Sequence, residues 1–312
     1  MWFLVFSIFC SVTVSVLLKI ARRYRIDVSQ AIATNYVMAS ALTIVLLRPQ
    51  LGSLSQGQVP ILVLLALGLL LPSIFVVMAR AVEHAGIVRS DAAQRLSLII
   101  PLLAAFLVFK EPFDGFKLAG IACGLLAILA LSLSTQSQAK GHDNSPSTAA
   151  NNLLAQTKSN PGATAKQAFR PASKYLGLWL LIGVWLGYGL IDVLFKQLAQ
   201  SGLAFTSSLI ISFVLAGSLM FAYLFVRRVR WHGPSLAAGL LLGLFNFGNI
   251  LFYIRAHQSF PQSPALVFAA MNIGVIVLGT LTGVLLFKER ASGIIAVGLL
   301  LALSAIVLLL PH

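Results

Sequence analysis

The sequence predicts an all-α polytopic membrane protein of ten transmembrane helices, arranged as two inverted five-helix repeats. Three observations predict it. Of the 312 residues, 59% are hydrophobic and 10% charged, against about 45–50% apolar and about 25% charged in a soluble domain. The apolar residues gather in ten continuous runs, each near the roughly 20 residues a helix needs to cross a bilayer core. A polar stretch, residues 135–174, divides those runs five and five, and both sets carry the same punctuation. A membrane barrel would instead show alternating segments of about 10 residues.

The first run, 2–20, has no charge before Lys19, so MWFLVFSIFCSVTVSVLLK lacks the basic start of a cleaved signal peptide and reads as a retained helix. The second, 29–48, carries Asn35 and Tyr36, and the third, 58–80, closes at Arg80. The fourth, 91–109, opens with Asp91 and Arg95, the arginine reading either as a substrate-anion contact or as half of an i, i+4 ion pair, and contains Pro101, which removes a backbone donor and predicts a kink. The fifth, 116–134, is notched by Gly120 and Gly124. Residues 135–174 are rich in Ser, Ala, Asn, Gln, Thr and Lys; they bury too little surface to offset chain entropy and read as a flexible linker. The sixth to tenth runs follow at 175–197, 203–226, 235–256, 264–287 and 291–310.

The duplication is legible at three anchors. FKExxxGxxxxG occurs at Phe109 and again at Phe287, an offset of 178; VLLK ending at Lys19 matches VLFK ending at Lys196, at 177; Arg80 and Arg255, each followed by Ala, match at 175. Ordered agreement at nearly one offset argues for two copies, residues 1–134 and 175–312. Five helices per copy make the second start on the opposite side of the membrane, so the repeats are inverted, and transport sites of such proteins commonly lie near the midplane between them. Glu111 and Glu289 lie just ahead of the helices that follow, with Asp114 and Ser292 as N-caps, which reads as interface punctuation.

The net charge of +14 would suggest nucleic acid in a soluble protein; here it reads as cytoplasmic loop charge and no nucleic-acid partner is expected. Most Lys and Arg fall in the connections after odd-numbered helices, RRYR at 22–25, RRVR at 227–230 and the linker included, which places those loops in the cytoplasm and both termini outside. Cys10 and Cys123 both lie in apolar runs, so neither a disulfide framework nor a zinc site is supported. No GxxxxGK[ST] loop is present, so ATP-driven pumping is unsupported, and the histidines are scattered, so an integral membrane enzyme is disfavoured. No cofactor is expected.

A transporter needs intramembrane polar groups that face the bundle. In the sixth run Trp185, Tyr188, Asp192 and Lys196 share a helical face; they read either as a wall of a pathway or as packing aromatics beside an Asp192–Lys196 pair. In the eighth run Asn246, Asn249 and Tyr253 repeat the pattern, facing either a wet cavity or neighbouring helices. The fourth and ninth supply Gln94 and Asn272, equivalent at the 178 offset, with Arg95 beside the former; Gly279 is the counterpart of Pro101. Lys19 reads as snorkelling to the interface. Four GxxxG pairs (Gly120/Gly124, Gly183/Gly187, Gly239/Gly243 and Gly279/Gly283) predict close helix approach. No acid lies at the centre of a run, so a coupling proton would fall on Asp192 or an end-lying acid, and exchange against a counter-substrate is an equal alternative.

With its five-plus-five duplication, and with LSLIIPLLAAFLVFKEPFDGFKLAGIACG and GVIVLGTLTGVLLFKERASGIIAVG at corresponding places, the chain resembles a ten-helix EamA-type member of the drug/metabolite transporter superfamily over both halves. The resemblance implies a secondary transporter in a bacterial cytoplasmic (inner) membrane, and it implies both termini inside, opposite to the charge count. It leaves the substrate open. The amide and aromatic lining suggests a small polar or amphipathic metabolite, an amino acid or a similar neutral or zwitterionic solute; a lipid flippase or a non-transporting membrane protein on the same architecture is the alternative.

Overall fold

The computed structural model describes residues 1–24, 26–49, 61–85, 87–112, 115–142, 174–201, 205–287 and 293–309. It is all-helical, with no strand among the described residues. In chain order the helices are α1 (Trp2–Arg23), α2 (Val28–Leu42, continued by a π-turn over Thr43–Leu47), α3 (Ile61–Ala85), α4 (Ile87–Leu96), α5 (Ile99–Leu107), α6 (Gly115–His142), α7 (Lys174–Gln200), α8 (Phe205–Val226), α9 (Gly233–Ser259), α10 (Pro264–Phe287) and α11 (Gly293–Leu309). Among the described residues six stretches are long and apolar enough to cross a membrane: Val28–Leu47, Ile61–Val82, Tyr175–Gln200, Phe205–Val226, Gly233–Ser259 and Pro264–Leu285. Shorter apolar helical stretches lie at Trp2–Leu18, Ala92–Leu107, Gly115–Ile128 and Ala296–Ala305. Large apolar side chains such as Leu62, Leu107, Val226 and Leu285 are exposed on the outside of the bundle, as expected where hydrocarbon replaces water.

The fourth apolar run is a broken helix. Pro101 has no N–H to give the Ser97 carbonyl, and the ladder shifts around it: Ile100 N–H bonds Ser97 O at 3.0 Å and Leu102 N–H bonds Leu98 O at 3.2 Å. Ile100 would bond Leu96 O in a regular helix. The Leu96 carbonyl freed at the break accepts instead from Trp185 Nε1 of α7 at 3.0 Å. The kink expected at Pro101 is thus realised about one turn earlier, between α4 and α5. Its counterpart α10 runs unbroken through Gly279.

The helices pack by exchange between the halves. α1 lies on α9 and α7 on α3; α2 lies on both α8 and α9; α6 lies along α11, and α5 meets α10. The closest approach is that of α2 and α9. A Cβ on Gly239 would fall on Thr34 Oγ1 and the Ala31 carbonyl, and one on Gly243 would lie 2.6 Å from Asn35 O. The other GxxxG pairs divide. Gly187 lies against Ile74 and Gly124 against Ile273, whereas a Cβ on Gly279 would meet nothing within 4 Å.

Polar stitches join the halves at both ends of α9. At its start, Gln30 Nε2 donates to Arg230 O at 2.8 Å and His232 N–H donates to Gln30 Oε1 at 2.9 Å, while Asp27 N–H donates to Ser235 Oγ at 2.9 Å. Asp27 also caps α2, accepting from Ser29 N–H at 2.9 Å. At the other end the FKE turn is responsible. Lys110 adopts a left-handed φ of 53°, and just beyond it Glu111 N–H reaches back to Ala105 O at 3.0 Å, closing α5. That reversal turns the buried Glu111 side chain inward. Its Oε2 accepts from Ala265 N–H at 2.8 Å and its Oε1 pairs with Lys117 Nζ at 3.0 Å.

Glu111 is therefore not an interface punctuation mark ahead of α6, as its sequence position suggests; it caps α10 from the other half. The physical reason is burial. Residues 264–271 of α10 are all buried, so its first N–H groups have no water to bond and need a protein acceptor. Asp114, Glu289 and Ser292 lie outside the described residues, as does most of the expected linker. Its first part is corrected: α6 continues to His142, because the Ala, Gln and Lys of that segment are good helix formers that extend an existing helix at little cost.

Candidate functional site

Three of the residues singled out in the sequence converge inside the bundle. Asp192 lies on α7 about two turns from its end, Tyr253 about two turns from the end of α9, and Asn272 about two turns from the start of α10. Tyr253 Oη donates to Asp192 Oδ1 at 3.1 Å. The Asn272 carboxamide reaches the same carboxylate and anchors itself through Nδ2 to Phe268 O at 3.0 Å. Tyr253 is buried; Asp192 and Asn272 are half-buried. Each lies on the inward stripe of its helix, and the alternating course of α7, α9 and α10 brings the three to one depth.

Two tyrosines extend this cluster toward the first half. Tyr188, one turn before Asp192 on α7, is within electrostatic reach of Tyr36 on α2. Tyr36 is 1% exposed, its hydroxyl has no hydrogen-bond partner among the described residues, and its ring lies 6.4 Å from that of Phe213. The neighbouring Asn35 also buries an Oδ1 that no described residue bonds. Such buried atoms are uncommon.

The remaining candidates separate. Asn249 is a tie between helices: Ser7 Oγ on α1 donates to its backbone oxygen at 3.0 Å or its Oδ1 at 2.9 Å, and approaches Met271 Sδ at 3.3 Å. Trp185 serves the α4–α5 break through Leu96 O. Asn246 and Gln94 are half-buried, with no side-chain hydrogen bond among the described residues. Arg95 is half-buried on α4; the side chains of Asp91, its expected partner, and of Lys19 lie outside the described residues. The expected Asp192–Lys196 pair is absent. Lys196 turns the other way, donating from Nζ to Pro261 O at 3.2 Å with the cation 5.8 Å from the Phe109 ring centre. A carbonyl at the α9–α10 corner and an aromatic face satisfy it where Asp192 is already engaged by Tyr253.

Sequence reasoning missed His257. It continues the Asn246, Asn249, Tyr253 stripe by one more turn, which is the signal that could have found it. Its ring is 1% exposed, packed edge-on between Tyr253 at 4.8 Å and Phe268 at 4.7 Å, with neither nitrogen bonded by any described residue. Among the described residues no group of three or more His, Cys, Asp or Glu side chains is placed to hold a metal ion.

Chemically the arrangement offers a carboxylate, phenol hydroxyls and carboxamides in an apolar interior, suited to holding a small polar solute by hydrogen bonds. No family model matches the chain. It is 48% identical over 310 residues to a Haemophilus influenzae protein described as an uncharacterized protein, across 97% of this chain and 95% of that one. The chain belongs to that protein's family. Identity at this level along nearly the whole length means that both fold alike. A crystal structure described only as that of a protein shares the fold with a TM-score of 0.62, covering 98% of this chain and 94% of the other at 15% identity. The family is thus one of helical proteins with several membrane-length helices.

Proposed function

We propose that the chain is a secondary transporter of the drug/metabolite type, built from two inverted repeats of five membrane-crossing helices. It moves a small polar or amphipathic metabolite, an amino acid or a similar neutral or zwitterionic solute, across the cytoplasmic membrane by alternating access. The observation that carries this reading is the Asp192–Tyr253–Asn272 cluster in the bundle interior. An ionisable side chain placed inside an apolar bundle is costly and marks a solute pathway by default. The exchanged packing supports the repeats: swapping the halves turns the α1–α9 contact into α7–α3 and returns α2–α8, α6–α11 and α5–α10 to themselves.

Alternating access gives the end stitches a role. The Gln30 and Asp27 bonds at the start of α9 and the Glu111 cap just beyond its end are about 40 Å apart along a 27-residue helix. Rocking of one half against the other breaks one set while the other holds. The bilayer and the solute are the partners in this reading, with a proton at Asp192 or a counter-substrate supplying the drive.

Reconstitution in liposomes tests it. Saturable uptake of labelled amino acids or related zwitterions is expected, with large loss in Asp192→Asn and Tyr253→Phe at normal expression and folding. Full uptake in a variant replaced at Asp192, Tyr253, Asn272 and Tyr188 together would rule out this site. A lipid flippase reading has one observation in its favour, an apolar groove of about 300 Å³ between α3 and α8 beside Pro72 and Tyr223. Scrambling of labelled lipid by the same liposomes, with no solute uptake, would select it.

A further inference from the structure

We propose that the pocket at the α7–α9 end of the bundle, where Lys196, Arg255 and His257 meet, binds the carboxylate of a small organic anion. The inference goes beyond the transport reading and stands on a separate cavity. That cavity measures about 540 Å³ and is bounded by the last turns of α7 and α9, the first residue of α8 and Pro261, a size that suits a metabolite.

Among the described residues every ionisable side chain on its wall is basic: Lys196, Arg255 and His257 line it and no acid does. Lys196 is 1% exposed, and one of its three donors is used on Pro261 O; the others remain for an occupant. His257 is equally buried and offers two ring nitrogens that nothing in the described residues bonds. Buried polar atoms of this kind are normally satisfied, and a carboxylate oxygen would accept from the ring N–H. Arg255 stands at the mouth, exposed, stacked 5.1 Å over the Phe205 ring and touching Gln258 Oε1 at 3.4 Å. Its remaining fork suits a planar two-oxygen group.

An acid close by does not neutralise this charge. Glu111 is within electrostatic reach of Lys196, but its two oxygens are committed to Ala265 N–H and Lys117. Ala199, Phe205 and Pro261 line the same pocket, which gives the hydrocarbon part of an organic anion apolar contact that an inorganic ion would waste. The occupant would also sense the interior cluster, because His257 packs on Tyr253, the residue that holds Asp192.

The test is thermal unfolding of the full chain in detergent with succinate as probe, and succinamide and inorganic phosphate as comparators. A ligand of the folded state raises its apparent stability. Succinate is expected to give a saturable rise, succinamide none and phosphate a much smaller one. Arg255→Gln, at an exposed site, and His257→Phe, which keeps the ring packing, should each weaken the succinate effect roughly tenfold or more while leaving ligand-free melting near that of the parent. Absence of a saturable succinate effect, an equal effect of succinamide or phosphate, or full effect in both variants would overturn the proposal. Because the readout is binding, solute flux without succinate binding removes this site alone, and binding without any flux removes the transport reading instead.

Discussion

Alanine at Gly239 and at Gly279 should move stability in opposite directions, although both glycines open a GxxxG pair. A Cβ at Gly239 would fall on the Ala31 carbonyl and Thr34 hydroxyl and only 2.7 Å from Ala31 Cα. Two of these three atoms are backbone and cannot rotate away, so α2 and α9 must separate by about 1 Å, where overpacking costs about 1–3 kcal/mol. That separation also stretches the 3.0 Å bond from Thr34 Oγ1 to Leu236 O, worth about 1 kcal/mol. The gain from replacing a helical glycine, about 1 kcal/mol, offsets part of this and leaves a net loss near 1–3 kcal/mol. At Gly279 nothing lies within 4 Å, so only the helix-forming gain of up to about 1 kcal/mol operates. Unfolding of detergent-solubilised protein, followed by far-ultraviolet circular dichroism, measures both. Shifts of the same sign, or no loss for Gly239→Ala, would refute the α2–α9 approach drawn from the structure.

Glu111→Ala should destabilise by about 2–4 kcal/mol, since it removes the α10 cap and leaves Lys117 without its partner; Glu111→Gln, which keeps an acceptor, should cost less in the same unfolding assay. Gln30→Ala should cost about 2–3 kcal/mol by deleting its bonds to Arg230 O and from His232 N–H. Trp185→Phe leaves the Leu96 carbonyl without its donor; a loss of about 1–3 kcal/mol is expected, with faster hydrogen exchange around residues 96–100 as the local readout. A reporter fused after His312 is expected on the outer face from the charge distribution, and cytoplasmic activity would reverse that orientation.

Much of the bundle was legible because membrane solvation constrains sequence so strongly. Continuous apolar runs, Pro101 as a helix breaker and the inward stripes of α7 and α9 are statements about single helices, and periodicity reports them directly. Asp192 and Tyr253 were visible for that reason, and Asn272 through its match to Gln94 at the 178 offset. What they bond was not, because partners on different helices depend on how those helices are turned and how deep each one lies. Lys196 shows the difference. Its i+4 spacing from Asp192 offers an ion pair, yet the packed bundle presents it with Pro261 O and the Phe109 ring while Tyr253 takes the carboxylate.

The sequence by itself determined that this chain is helical, apolar enough for a membrane and punctuated alike in two halves, since hydrophobicity and spacing are local properties. Only the tertiary structure decided which glycines are contact points, which carboxylate caps a helix of the other half, and that His257 faces the same pocket as Lys196. Those outcomes depend on atoms more than sixty residues apart in the chain meeting within hydrogen-bonding distance, as Lys196 meets Pro261 across 65 positions and Glu111 meets Ala265 across 154. No run of neighbouring residues encodes such a meeting.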